Sequence, residues 1–232
     1  MTDLHSGVVA PTTLHPHSEA SIPTLGRRRF LDVGVPLLLL ALSTLTTTAI
    51  GARFMHNFLL GHPTLASDED LWPWPWLFQH PDRFRLGWPF SITLLAILLT
   101  HEFGHYFACR THRIRATLPW VLPAPTLSGT AGAVIQIQGR IHTRQALVDI
   151  GAYGPLAGYL VSLLAIALGL KLSHPIPAQA PPSMIGFGEP LTIHLLAVIL
   201  HAPNFHHAVY HPILIAGWIG LFVTALNLIP GG

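Results

Sequence analysis

From Phe30 to Ala52 the chain carries a single charged side chain, Asp32, and is otherwise apolar or weakly polar. At about 1.5 Å per residue, a helix over this stretch reaches across a bilayer core of about 30 Å. Similar stretches follow at Trp88 to Cys109, Ala146 to Leu170 and Pro212 to Ile229. Inside a bilayer the backbone must satisfy its own polar groups, so such segments fold as helices. Composition agrees. Half of the 232 residues are hydrophobic and 9% are charged, against about 25% in a soluble domain. The mean hydropathy is +0.51. An ordinary soluble enzyme, a coiled coil and disorder over most of the chain are excluded. Twelve Lys+Arg against ten Asp+Glu are too balanced for a nucleic-acid binder, so no nucleic acid is expected as a partner. The single cysteine, Cys109, excludes an internal disulfide and a Cys-based zinc finger.

The fold expected is an all-α polytopic membrane protein, with about four transmembrane helices and a small re-entrant β element. Residues 1–29 read as a disordered cytoplasmic tail, polar over 1–26. They lack the apolar core of a signal peptide. Asp3 and Glu19, with no Arg before Arg27, speak against an organelle transit peptide. Residues 30–87 read as the first transmembrane helix and an external loop rich in Trp and Pro. Its run Leu71-Trp72-Pro73-Trp74-Pro75-Trp76 is too proline-rich for a buried helix and suits a membrane–water interface. Residues 88–232 form the membrane core. Within it, 110–145 hold Pro119, Pro123 and Pro125, then a glycine-punctuated segment from Gly129 to Gly139 that ends in the alternation of a short strand. The apolar run Leu191 to Leu200 is too short to cross and predicts an interfacial or re-entrant helix.

Charge sets the orientation. Arg27, Arg28, Arg29, Arg110, Arg113, Arg115, Arg140 and Arg144 lie on one side of the spans. Arg53, Arg83, Arg85 and Lys171 lie on the other, with Asp68, Glu69, Asp70, Asp82 and Glu189. The positive-inside rule places the N-terminus, the 110–145 segment and the C-terminus in the cytoplasm.

The second span ends Thr100-His101-Glu102-Phe103-Gly104-His105, an H-E-x-x-H on an apolar helix. Residues i and i+4 share a helix face, so His101 and His105 can converge on one zinc ion. Glu102, displaced by one position, reaches a water rather than the metal and can act as general base. The pattern predicts metal-assisted hydrolysis, most often of a peptide bond. With 16 His and 4 Glu in the chain, chance gives such a motif about 0.02 times. A Glu and two His within a span are expensive and mark function by default. The alternative is a pair of helix-packing histidines.

Two histidines do not complete a zinc site. Cys109 continues the series but lies about 12 Å along the axis from His101, and reads as a small buried residue. Asp149, at the cytoplasmic start of the third span, is open between ligand, supporting acid and interfacial charge. Gly151, Gly154 and Gly158, with Ala157, make a small face that would seat the third span against the H-E-x-x-H helix. His201, His206, His207 and His211 read as a solvated loop cluster, with metal binding or pH sensing as alternatives.

Over about residues 90–232 the chain resembles the site-2 protease family of intramembrane zinc metalloproteases. Four features carry the resemblance in order: the H-E-x-x-H; the segment Gly129-Thr130-Ala131-Gly132-Ala133-Val134-Ile135; Asp149-Ile150-Gly151-Ala152-Tyr153-Gly154-Pro155-Leu156-Ala157-Gly158, similar to the family's G-P-x-A-G helix; and Asn227-Leu228-Ile229-Pro230, similar to the start of its N-x-x-P…D-G motif. The resemblance implies zinc held by His101 and His105, with Glu102 as general base. It implies that Asn227 binds substrate or the developing oxyanion and that Pro230 shapes the site, with Asp149 near it. An unwound substrate would pair with the edge of the segment holding Gly129, Thr130 and Gly132. The family's third ligand, an Asp of the D-G motif, falls beyond Gly232. Either the sequence is truncated before that motif or the protein lacks this ligand.

The function expected is therefore an intramembrane zinc endopeptidase acting on membrane protein substrates within the lipid bilayer. Its expected home is a bacterial inner membrane, multi-pass, with the site near the cytoplasmic side. The substrate and any regulator are not legible. The rivals are a catalytically inactive pseudoprotease that binds membrane helices and, further off, a metal carrier.

Overall fold

The computed structural model describes residues 30–184, 188, 190–202 and 208–228. The expected tail, the Arg27-Arg28-Arg29 run, His206, His207 and Pro230 lie outside the described residues. The described chain is mostly helical. A π-helical turn, Phe30–Gly34, leads into α1 (Val35–Leu59). After α2 (Trp74–Gln79) come α3 (Trp88–Thr111), α4 (Arg144–Leu172), α5 (Leu191–Ile199) and α6 (Pro212–Leu228). Between α3 and α4 lie β1 (Arg115–Ala116), β2 (Trp120–Pro123), β3 (Thr130–Val134) and β4 (Ile137–Gln138). The strands β5 (His174–Pro175) and β6 (Ala208–Val209) flank α5. All pairing is antiparallel, β1 with β4, β2 with β3 and β5 with β6.

Three segments are long and apolar enough to cross a membrane: Asp32–Leu59, Pro81–Thr111 and Arg144–Leu172. Only 33%, 50% and 39% of their most apolar windows are buried. Leu37, Leu38, Leu42 and Leu45 on α1, and Leu156, Leu160, Leu164 and Leu168 on α4, stand exposed. Exposed apolar surface on this scale calls for an apolar surrounding. The fourth apolar helix, α6, has 17 described residues, short of the length of the other three.

The core forms where these helices meet. Phe54 of α1 lies edge-on to Phe90 of α3 at 5.2 Å. Leu94 and Leu98 of α3, Ile166 and Leu170 of α4, and Leu214 and Ile215 of α6 join them. Helix α4 starts on a cap, the Thr143 hydroxyl accepting from the Ala146 N–H at 3.1 Å.

The first span ends later than the apolar run suggests. Arg53 lies inside α1 and is buried, not in a solvated loop. Its charge is matched: Nε and Nη2 donate to Asp70 Oδ1 at 2.9 and 2.7 Å. Asp70 Oδ2 accepts from the Ala66 and Ser67 N–H groups, both at 2.8 Å. The Arg53 guanidinium also lies over the Trp76 ring, 4.7 Å from its centre. The Trp/Pro run likewise holds a helix, α2, with Trp76 and Leu77 buried. Its prolines fall at the cap and in the first turn, where no intrahelical N–H is needed.

Asp70→Ala strands a buried guanidinium and is expected to cost about 3–5 kcal/mol of stability. Glu69 also reaches Arg53, at 3.5 Å, but its side chain is 66% exposed. Glu69→Ala is expected to cost at most about 1 kcal/mol. Denaturant unfolding of both variants in mixed micelles measures the contrast, and equal costs would refute it.

Candidate functional site

The H-E-x-x-H forms one face of α3, about ten residues before its end. His101 and Glu102 are buried, at 1% and 5% exposure. The helical repeat brings the two rings together, with His101 Nε2 and His105 Nε2 3.1 Å apart. Two imidazole nitrogens on one tetrahedral zinc, each about 2.0–2.1 Å from the ion, stand about 3.3 Å from one another. The hydrogen bonds suit this use. The His105 Nδ1–H donates to the Ile150 carbonyl of α4, which leaves a lone pair on Nε2. The Asn227 amide of α6 lies 3.0 Å from His101 Nε2. A cation held by both rings would take the one lone pair of His101 Nε2 in place of the Asn227 amide. The remaining nitrogen, His101 Nδ1, is buried without a hydrogen-bond partner among the described residues.

Two glycines of α4 make room for this pair. A Cβ at Gly154 would fall on the His105 imidazole. A Cβ at Gly158 would lie 2.9 Å from His101 Nδ1 and 2.8 Å from Thr224 Cγ2 of α6. The small face expected on the third span thus packs against the two rings themselves. Gly151 differs: a Cβ there meets nothing within 4 Å, and the residue lines the cleft.

The cleft has a volume of about 420 Å³ and is lined by Glu102, His105, Ala133, Val134, Ile135, Ile150, Gly151 and Asn227, among others. Glu102 and Ile135 line this cleft together. The wall facing the catalytic candidate is therefore the end of β3 and the residue beyond it. The start of that strand lies elsewhere. Gly129, at φ +79°, abuts Thr46 and Thr47 of α1. Thr130 is buried, its hydroxyl donating to the Leu122 carbonyl at 2.7 Å and accepting from the Gly132 N–H at 3.1 Å. It bridges the register shift between Leu122 and Pro123. Gly132, at φ +103°, has open space about its Cα.

Asp149 does not line the cleft. Its Oδ2 lies 2.8 Å from His112 Nε2, at the end of α3. Cys109 is wholly buried with Ala108 and Ile150. His201 is exposed. His211 is buried edge-on to Phe58 at 4.8 Å, and burial lowers its pKa. Among the described residues no three His, Cys, Asp or Glu side chains gather as a metal group.

Sequence reasoning missed the Ile150 carbonyl, because it acts through the backbone and carries no residue-type signal. It also missed Ser43 and Thr46. The Ser43 hydroxyl donates to the Val121 carbonyl at 3.0 Å and that of Thr46 to the Gly129 carbonyl at 2.6 Å. The signal for these was present in the run Ser43-Thr44-Leu45-Thr46-Thr47-Thr48, midway along an otherwise apolar span.

The profile of "Peptidase family M50" matches residues 89–232. "Probable zinc metalloprotease EGY1, chloroplastic" of Arabidopsis thaliana is 36% identical over 150 residues, covering 62% of this chain and 27% of that protein. Its namesake in Oryza sativa subsp. japonica is 36% identical over 151 residues, covering 62% and 26%. "Probable zinc metalloprotease EGY2, chloroplastic" of Oryza sativa subsp. indica is 27% identical over 160 residues, covering 67% and 29%. The chain spans about a quarter of the length of the curated relatives it matches. No solved structure matches it.

Proposed function

The chain belongs to peptidase family M50, the site-2 proteases, and from this we propose that it is an intramembrane zinc endopeptidase of the H-E-x-x-H type. It cleaves peptide bonds in or near the transmembrane segments of membrane proteins. The observation that carries the reading is the 3.1 Å approach of His101 Nε2 and His105 Nε2 beside the buried Glu102. His101 and His105 would hold the zinc. When bound, the metal supplies Lewis acidity and lowers the pKa of its water to about 7. Glu102 takes the proton of the attacking water and returns it to the leaving amine. Asn227, which lines the cleft beside His101, would reach the developing oxyanion. Van der Waals contact with Gly154 and the Ile150 carbonyl orients His105. Asp149, through His112, steadies the junction of α3 and α4.

We read the domains as the sequence suggests, with a tail over 1–29, the first span and external loop over 30–87 and the protease core over 88–232. In this reading α6 is a fourth span and β2–β3 is a re-entrant hairpin. Gly132 gives an unwound substrate backbone room to approach. The reading places the protein in a bacterial inner membrane with the cleft near the cytoplasmic side, whereas the relatives named above are chloroplastic. The second reading is a helix-binding pseudoprotease.

The test uses the full-length protein in lipid nanodiscs and a panel of tagged single-span membrane proteins. Fragments should appear with the zinc-loaded protein, vanish after chelation and return on adding zinc. A zinc-loaded protein that captures panel members without cutting them would establish the pseudoprotease instead.

A further inference from the structure

We propose that Ser43 and Thr46, on the first span, are positioning residues that fix the β2–β3 hairpin as a wall of the substrate cleft. The inference rests on the protease reading for its kinetic consequence, and on geometry alone for the anchoring.

A hairpin of two strands is marginal by itself, so its neighbours must set its place. At membrane depth, carbonyls on its outer edge lack water and need donors from the protein. The Val121 carbonyl receives the Ser43 hydroxyl, and the Gly129 carbonyl, which also accepts from the Ala124 N–H at 3.3 Å, receives that of Thr46. These residues stand at i and i+3 and share one face of α1. Ser43 is fully buried. Thr47, beside them, is held at 2.6 Å to Ser91 of α3, so the anchoring face is itself tied to the H-E-x-x-H helix.

The other end of the same strand reaches the site. Six residues on from Gly129, Ile135 lines the cleft together with Glu102, about 20 Å away at strand rise. Between them, β3 runs to Val134, which lines the cleft with Ala133 and Ile135. The strand is thus a strut from α1 to Glu102. A slip of one residue would turn each side chain to the opposite face and move Ile135 from its place in the cleft. Gly129 permits the close seat, since a Cβ there would lie 2.8 Å from the Thr46 carbonyl. Both anchors fall outside the segment 89–232 that the family profile matches, so a span without family signal sets the cleft wall.

The experiment compares wild type, Thr46→Val, the double variant Ser43→Ala/Thr46→Val, and Thr46→Ser, which keeps the hydroxyl. The probe is whichever tagged single-span protein the wild type cuts in the panel above. Backbone amide exchange over 130–135 in nanodiscs should quicken about tenfold or more in the Val variants, with α3 and α4 unchanged and zinc content retained. KM should rise about tenfold at nearly constant kcat per bound zinc, as loss of uniform binding requires. Thr46→Ser should restore both. A merely structural role would lower the apparent kcat with folded fraction and leave KM alone, which overturns the proposal. Unchanged exchange over 130–135 overturns it too. If the wild type cuts no panel member, the protease reading falls. The exchange arm still decides the anchoring, upheld by faster exchange in the Val variants and overturned by none.

Discussion

Glu102→Gln is expected to lower cleavage by a factor of about 10²–10⁴ and to leave zinc bound. The change keeps size and shape and removes the carboxylate. Glu102 is one helical position from His101 and so lies off the line joining the two Nε2 atoms. Gln fills the same space beside Ile135, so the cleft wall has no reason to move. What is lost is the group that accepts a proton. The measurement is turnover of a panel substrate per bound zinc, with metal content by mass spectrometry. Cleavage at the wild-type rate would remove Glu102 from the chemistry. Loss of zinc together with activity would make it part of the metal's support instead. A metal carrier predicts tolerance of this change and flux of metal across the membrane.

The sequence made some of this arrangement legible and concealed the rest for physical reasons. Periodicity is local, so spacing alone puts the two histidines of the H-E-x-x-H on one helix face. The apolar runs likewise marked the three long helices. The small face at Gly154 and Gly158 was readable as a packing surface, but not its partner: only the assembled fold puts those glycines against imidazoles. Arg53 looked like a loop charge because its partner Asp70 lies 17 residues on, and a buried ion pair leaves no mark in hydropathy. Pro73 and Pro75 argued against a helix by residue type, yet their positions at the cap and in the first turn make them compatible with one. The hairpin was the hardest case. Its glycines drew attention to its start, whereas the residues facing Glu102 are the plain Ala133, Val134 and Ile135 at its end. Which end faces the site is decided by hydroxyls on α1, about 80 residues earlier in the chain.

Gly154→Ala is expected to lower zinc affinity by about 10–100-fold, the range found when a ligand's orienting contacts are lost, and to take activity with it. The added methyl falls within the His105 ring. The imidazole can evade it only by turning, and turning breaks its bond to the Ile150 carbonyl and withdraws Nε2 from its partner on His101. Moving α4 instead is resisted by Gly104 of α3, where a Cβ would already lie 2.5 Å from the Tyr153 carbonyl. The helix itself does not suffer, since alanine is favoured over glycine in a helix interior by about 1 kcal/mol. Helix content should therefore hold while zinc affinity falls, a separation that a folding defect cannot produce. Gly151→Ala, one turn earlier, is the internal control. Its methyl enters open space and zinc affinity should stay within about twofold of wild type. Chelator competition on both variants, with circular dichroism alongside, gives the answer. Equal zinc affinity in Gly154→Ala and wild type would mean that His105 does not hold the metal in the position it takes here, and the two-histidine site would have to be abandoned.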